Sequence, residues 1–328
     1  MNNTEFRLYA GDGTTIASRG LTLPPYRKED SLDDPRFYLA DKPLRDAVNV
    51  ALTLGQPLLV TGEPGTGKTQ LAASLALELG LPAPLTFHTK TTSTAKDLFY
   101  HYDALRHFHD AHFLTAARPV DAYVTYEALG LAILLSLPAA EAHAFLPEDR
   151  RVPAPTRSVV LIDEIDKAPR DLPNDILNEI DNLAFTVSES GRTFRAAQAF
   201  RPIVVLTSNS EKNLPDAFLR RCVFYSIAFP DRNRLREIVH RRLGNRAFSA
   251  GMIDHAIEHF ESLRGLALKK KPATAEFLQW MQVLERMSID PSNVGPKEAE
   301  ALALSYCALA KTREDLALMH SHLDKAQR

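Results

Sequence analysis

The chain has 328 residues, of which 45% are hydrophobic and 24% charged, so it is long enough for one to three globular domains with sizeable cores. Its formal net charge of −2 argues against a general affinity for the nucleic-acid backbone, because such binding depends on an excess of clustered Lys and Arg. The two cysteines, Cys222 and Cys307, exclude a disulfide framework and are typical of a reducing compartment.

Residues 1–36 are rich in polar residues, Gly and Pro, and predict an extension on the surface of the main body. They contain no basic end followed by an apolar run, so we expect no signal peptide. The most apolar stretch, residues 128–140, is too short to span a bilayer and predicts a buried helix. We therefore expect a cytoplasmic protein without a membrane span.

Short apolar runs alternate with helical segments in the first two thirds of the chain. Because such alternation is typical of a parallel sheet covered on both faces, it predicts an α/β domain over residues 37–230. After Pro230, all further stretches follow the 3.6-residue helical period and predict a small all-α domain over residues 231–328. The five predicted strands are 57–62, 84–89, 158–163, 202–208 and 222–229.

A glycine-rich segment follows the first predicted strand and opens the next helix. It reads GEPGTGKT and matches the phosphate-binding P-loop motif in the structural context that the motif requires. Lys68 would place a cation at the β- and γ-phosphates, and Thr69 would offer a hydroxyl to Mg²⁺. The alternative is a Gly-rich turn that happens to precede Lys-Thr. The predicted nucleotide-binding residues are Gly62, Glu63, Pro64, Gly65, Thr66, Gly67, Lys68 and Thr69.

Two adjacent carboxylates end the third predicted strand. Neighbouring strand residues point to opposite faces, so Asp163 and Glu164 cannot perform the same task. We assign Asp163 to the Mg²⁺ shell and Glu164 to polarising the water that attacks the γ-phosphate. The alternative is that these acids cap a helix and are solvated.

Asn209 follows the apolar part of the fourth predicted strand, again at a carboxyl end. Ligands of open parallel sheets gather at that edge, where a neutral amide could orient the attacking water or touch the γ-phosphate. The alternative is an asparagine that only forms a turn.

Four motifs in this order, GEPGTGKT, VVLIDEID, VVLTSN and LPDAFLRRCVF, resemble those of AAA+ ATPases over residues 40–290. The resemblance implies a P-loop NTPase fold, in which helices sandwich a five-stranded parallel sheet and a helical lid follows. It implies that Asn209 is sensor 1 and that Arg221, which precedes the strand residue Cys222, is a finger acting in trans. Arg220 would support that finger or lie at the subunit interface.

An insert after the second strand and a hairpin predicted within residues 185–202 make the chain similar to the MoxR branch, including the NorQ and CbbQ activators, and more distantly to McrB and dynein-type modules. Such proteins usually carry a sensor 2 arginine in the lid. Here the expected position holds residues 274–276, which include no arginine, so either a residue of the lysine run 269–271 replaces it or sensor 2 is absent.

Other charged residues admit two interpretations. Arg170 and Arg192 could reach a neighbouring subunit or a substrate, or could be solvated charges. A cluster of histidines in the insert invites a metal site, which the lack of Cys and of a consistent ligand spacing disfavours; its members are His101, His107, His109 and His112.

The resemblance implies an ATP- and Mg²⁺-dependent hydrolase that assembles as a ring, with a hexamer expected, and remodels a protein substrate or adaptor. A partner with a von Willebrand factor A domain is typical of the branch. The alternative is a nucleotide-gated assembly or signalling module of a bacterial conflict or restriction system. A DNA-translocating motor is disfavoured by the net charge.

Overall fold

The computed structural model describes residues 8–20, 22–23, 30–113, 118–210, 214–244, 248–291 and 296–326. The chain divides into two compact units. An α/β unit contains Ala40–Glu63 and Lys68–Ala228, and a helical unit contains Met1–Leu39, Pro64–Gly67 and Phe229–Arg328.

A five-stranded, all-parallel sheet organises the α/β unit, as the sequence predicts. The strands of this unit are β1 Leu58–Gly62, β2 Leu85–His88, β3 Tyr100–Tyr102, β4 Val124–Tyr126, β5 Val159–Asp163, β6 Ala184–Val187, β7 Arg192–Arg195, β8 Ile203–Thr207 and β9 Val223–Ile227. The strand order of the parallel sheet is β2-β5-β8-β1-β9, and in register Leu58 lies opposite Val205 on one side and Val223 on the other.

The central strands are short and apolar because both of their faces are covered. Every residue of β5 is buried, as are the first four of β1. The predicted buried helix is also present and ends at Leu135, before Pro138. The first helix, α1 Asp30–Asp33, belongs to the helical unit. The helices of the α/β unit are α2 Lys42–Leu54, α3 Lys68–Glu78, α4 Ala104–Phe113, α5 Ala128–Leu135, α6 Ala139–Ala142, α7 Leu172–Asp175, α8 Leu177–Asn182 and α9 Asp216–Leu219.

The predicted hairpin is formed by β6 and β7, which pair antiparallel with Gly191 in the connecting turn at φ +69°. A second antiparallel pair, β3 with β4, lies in the insert and was not predicted. The insert contacts the hairpin through the Glu189 carboxylate. The Lys96 ammonium lies 2.5 Å from this carboxylate, and the Tyr100 hydroxyl donates a hydrogen bond to it at 2.9 Å.

The helical unit packs around large aromatic side chains. Trp280, Phe260, Phe277 and Tyr306 are fully buried there, which explains the 3.6-residue apolar period of the sequence after Pro230. In the same unit the Arg242 guanidinium donates to the carbonyl of Leu32, whose side chain packs on this core. Besides α1, its helices are α10 Arg232–Leu243, α11 Ala250–Arg264, α12 Thr274–Met287, α13 Pro296–Ser305 and α14 Arg313–Ala326.

Of the helices in the described ranges, none combines the length and the apolarity that crossing a bilayer requires.

Candidate nucleotide-binding site

The glycine-rich loop leaves β1 at Gly62 and enters α3 at Lys68. Three of its glycines have positive φ angles, +144° at Gly62, +75° at Gly65 and +90° at Gly67. Side chains with a Cβ rarely adopt these angles, so the loop can follow this path only with glycine. Such loops present backbone N–H groups to phosphates, and the following helix adds its N-terminal dipole.

Lys68 is the first residue of α3 and is only 7% exposed. Its ammonium donates to the carbonyl oxygens of Gly62 and Glu63, at 2.9 and 3.0 Å, and to Oδ1 of Asn209 at 3.0 Å. Burial lowers the pKa of Lys68, while the carboxylates of Asp166, Asp163 and Glu164 act in the opposite direction. The structure therefore brings Lys68 and Asn209, 141 residues apart, into direct contact.

Asp163 ends β5 and is 9% exposed. Its Oδ1 accepts hydrogen bonds from the hydroxyls of Thr69, at 3.0 Å, and Thr207, at 2.6 Å. Its Oδ2 lies 3.5 Å from Nδ1 of His88, the residue that pairs with it on β2. Carboxylate and hydroxyl oxygens are the ligands that Mg²⁺ prefers, so Thr69 and Asp163 fit the ion that the sequence implies.

Glu164 leaves the strand in a left-handed conformation, with φ +56° and ψ +51°. Its N–H donates to the Thr207 hydroxyl at 2.9 Å, and its partly exposed carboxylate forms an ion pair with Lys167. Although Glu164 occupies the N-cap position of a 3₁₀ turn, its side chain makes no capping hydrogen bond. The left-handed backbone, costly for a residue with a Cβ, redirects the chain after Asp163.

Two residues of this site are not predicted by the sequence motifs. Thr207, the last residue of β8, is 1% exposed, and its hydroxyl bridges the Asp163 carboxylate and the Glu164 N–H. Asp166 accepts the N–H of Asn209 through Oδ1 at 3.3 Å. The signal that could have found Thr207 is its place: a hydroxyl directly at the carboxyl end of an apolar strand, level with the end of its neighbour β5.

Arg221 lies at the opposite end of the strands, where their amino ends form the amino edge of the sheet. It follows α9 and comes two residues before Val223, which pairs with Leu58 at the amino end of β1. The four residue steps from Leu58 to Gly62 span ~13 Å along the strand, so Arg221 is remote from the loop that begins at Gly62. Its Nε lies 3.4 Å from Oδ2 of Asp181, and the neighbouring Arg220 is exposed.

The remaining candidate residues lie outside this site. Arg170 is exposed after the acidic strand end. Arg192 at the start of β7 lies 3.0 Å from Asp121 and stacks over the ring of Phe145, with 5.2 Å from the guanidinium carbon to the ring centroid.

Three of the four predicted histidines, His107, His109 and His112, have protein partners, the last through the carbonyl oxygen of Phe108 at 2.8 Å. His107 bonds to the Tyr102 hydroxyl and stacks on Tyr123, and His109 lies 3.4 Å from Asp110. In the described part of the chain, no three His, Cys, Asp or Glu side chains are grouped as metal ligands would be.

The lysine run of the lid is partly engaged within the helical unit. The backbone N–H groups of Lys269 and Lys270 donate to the buried carboxylate of Asp315, at 2.7 and 3.2 Å. The Lys269 ammonium lies 3.4 Å from Glu314, whereas Lys271 is exposed. The assignment of a sensor 2 residue thus stays open.

The parallel sheet, the glycine-rich loop before α3 and the acid at the end of β5 define a P-loop nucleotide-binding α/β protein. A family model for the AAA domain of the dynein-related subfamily matches residues 57–222. The chain belongs to this family, so the resemblance to AAA+ proteins is confirmed at that level.

One similar solved structure is a variant of RuvB from Thermotoga maritima. It is 17% identical in sequence with a TM-score of 0.46, and the match covers 84% of this chain and 70% of that one. No similar protein was found among curated sequences.

Proposed function

We propose that this protein is an ATP hydrolase that assembles as a ring and uses ATP turnover to remodel or activate a partner protein. One observation carries the proposal. The phosphate-binding loop and the acidic residues lie at the carboxyl edge of the sheet, whereas Arg221 lies at the amino edge. Because a chain cannot bring Arg221 to its own site without unfolding the sheet, the arginine would serve the site of a neighbouring subunit.

Binding of ATP rests on the loop and on Lys68. The backbone of residues 62–67 would hold the phosphate chain, and the Lys68 ammonium would exchange its contacts with loop carbonyls for phosphate oxygens. Thr69 and Asp163 would hold Mg²⁺, which when bound neutralises charge on the β- and γ-phosphates.

Hydrolysis requires a water in line with the γ-phosphorus. As the water oxygen bonds to phosphorus and the bond to the ADP oxygen breaks, Glu164 would take the proton of the water. The side chain of Glu164 is 40% exposed, and its carboxylate would have to exchange its ion pair with Lys167 for a hydrogen bond to that water. Asn209, already in contact with Lys68, would orient the water or the γ-phosphate.

Arg221 of the neighbouring subunit would stabilise the charge on the transferring phosphoryl group. A heterologous contact of this kind forms a ring when the rotation between neighbouring subunits closes, and we propose a closed hexamer. Arg220, Arg170 and Arg192 are candidates for the interface; all three are exposed, and Arg192 would have to share its contact with Asp121.

The partner is proposed to be a protein. The insert and the β6–β7 hairpin support membership of the MoxR branch, for which a partner with a von Willebrand factor A domain is typical. The net charge of −2 disfavours nucleic acid as the substrate. We propose that the protein acts in the cytoplasm.

Two observations favour a second candidate, a nucleotide-gated assembly module with slow hydrolysis, as in McrB-like restriction systems. Glu164 is engaged by Lys167, and the first turn of α12 contains no arginine. In that case ATP binding would control association, and turnover would be incidental.

Mixed subunits test the first proposal. We expect Glu164→Gln and Arg221→Ala each to lower turnover by about 100-fold or more. In an equal mixture of the two variants, some sites are intact. Such a site has Glu164 from an Arg221→Ala subunit and Arg221 from a neighbouring Glu164→Gln subunit. Random assembly places this pair at about a quarter of the interfaces.

The mixture should therefore recover about a quarter of the wild-type rate. An inactive mixture would exclude the shared site. If wild-type turnover is negligible but ATP drives assembly measured by sedimentation, the second candidate is correct.

A further inference from the structure

Asp181 lies beside Arg221 at the amino edge of the sheet. It belongs to the last turn of α8, whereas Arg221, Arg201 and Gly55 precede the amino ends of β9, β8 and β1. Four separate segments thus meet where the sheet begins, on the edge away from the nucleotide loop.

Arg201 fixes the backbone of Asp181. The half-buried guanidinium donates from Nε to the Gly55 carbonyl oxygen at 3.3 Å and from Nη2 to the Asp181 carbonyl oxygen at 3.0 Å. Since the guanidinium is planar and rigid, these two bonds hold the end of α8 against the segment before β1. Asp181 is therefore held in place independently of Arg221.

The Asp181 carboxylate contacts Arg221 through the Nε side, with 3.4 Å between Oδ2 and Nε. Within the described part of the chain, this ion pair is the only polar contact of the Arg221 side chain. A guanidinium carries five N–H donors, of which four belong to the two terminal nitrogens. The terminal edge, whose geometry matches two phosphate oxygens, thus remains available.

We propose that Asp181 is a positioning residue that orients the guanidinium of Arg221 toward the nucleotide of the next subunit; this rests on the proposed function. The side chains of the pair are 42% and 43% exposed, so the pair adds little to stability. Its effect would be to reduce the rotamers of a long side chain that must otherwise be ordered during each turnover.

Turnover measurements on three variants test this role. Asp181→Ala should lower kcat about 10-fold with the KM for ATP unchanged, because Arg221 contacts the phosphoryl group in the transition state. Asp181→Asn should lose a similar part of the rate, because the contact is an ion pair and the neutral amide cannot attract the guanidinium as the carboxylate does. The matched control is Asp175→Ala, which removes an exposed aspartate from the end of the neighbouring α7 and should behave as wild type.

The combination Asp181→Ala with Arg221→Ala distinguishes orientation from a structural role. If Asp181 acts through Arg221, the double variant is no slower than Arg221→Ala. An equal mixture of Asp181→Ala and Glu164→Gln subunits should also contain sites of wild-type rate, because the second subunit supplies a correctly held arginine.

The outcomes separate the two proposals. Wild-type kcat in Asp181→Ala, or losses that add in the double variant, would overturn the role of Asp181 while leaving the shared site intact. Wild-type turnover in Arg221→Ala would instead overturn the shared site itself.

Discussion

Replacing Thr207 by Val would remove the hydroxyl that links the two acidic residues of the site and leave the side-chain shape nearly unchanged. The Thr207 hydroxyl donates to Asp163 at 2.6 Å and accepts the Glu164 N–H at 2.9 Å, and the residue is 1% exposed. Water cannot easily replace it, so both former partners would lose a bond in a buried environment.

The expected cost follows from these two bonds. A hydrogen bond to a carboxylate contributes ~2 kcal/mol, and leaving the Glu164 N–H unpaired costs ~1 kcal/mol or more, so the free energy of unfolding should fall by ~3 kcal/mol. Turnover should also fall, because the Asp163 carboxylate keeps only one hydroxyl donor, that of Thr69, and Glu164 loses the hydrogen bond that holds its left-handed backbone.

Thr207→Ser is the matched control, because it keeps the hydroxyl and loses only a methyl group, at ~1 kcal/mol. Urea unfolding followed by circular dichroism measures stability, and phosphate release measures turnover. If Thr207→Val is no less stable than Thr207→Ser, the hydroxyl does not hold the acidic strand end.

Two other predictions concern buried titratable groups. Burial is the main cause, and the nearby His322 the second, that lowers the pKa of His259 to about 4 in the folded protein. In the unfolded chain this pKa is ~6.5, so between these two pH values the unfolded chain binds a proton that the folded protein does not. The free energy of unfolding of the helical unit should therefore be at its full value above pH ~6.5 and fall by up to ~3 kcal/mol as the pH drops to ~4. The single tryptophan, Trp280, stacks on His259 and reports this unfolding by fluorescence; a pH-independent midpoint would contradict the assignment. Burial is the main cause, and the charge of Asp181 the second, that raises the pKa of Cys222 to about 12. Because the thiolate is the reactive form, iodoacetamide at pH 8 should alkylate the exposed Cys307 and leave Cys222 unmodified until urea is added. Equal labelling of both thiols in the folded protein would show that Cys222 is accessible.

Local patterns predicted most of the fold. The five parallel strands lie within a residue or two of their predicted bounds, since a short apolar run between helical segments can be buried in few ways. The β3–β4 pair was not predicted because each strand has only three residues, Tyr-His-Tyr and Val-Thr-Tyr, which are too few to show an alternating pattern.

The sequence by itself determined the features that depend on neighbouring residues: the glycine-rich loop, because its backbone angles require glycine, and the carboxylates at the end of β5, because an apolar strand precedes them. Only the tertiary structure decided which distant groups meet. Thr207 bridges the acids because β8 lies beside β5, and Arg221 lies at the edge opposite the loop because β9 pairs in parallel with β1. Strand order arises from how the helices and strands of the whole sheet pack together, and no local sequence pattern encodes it.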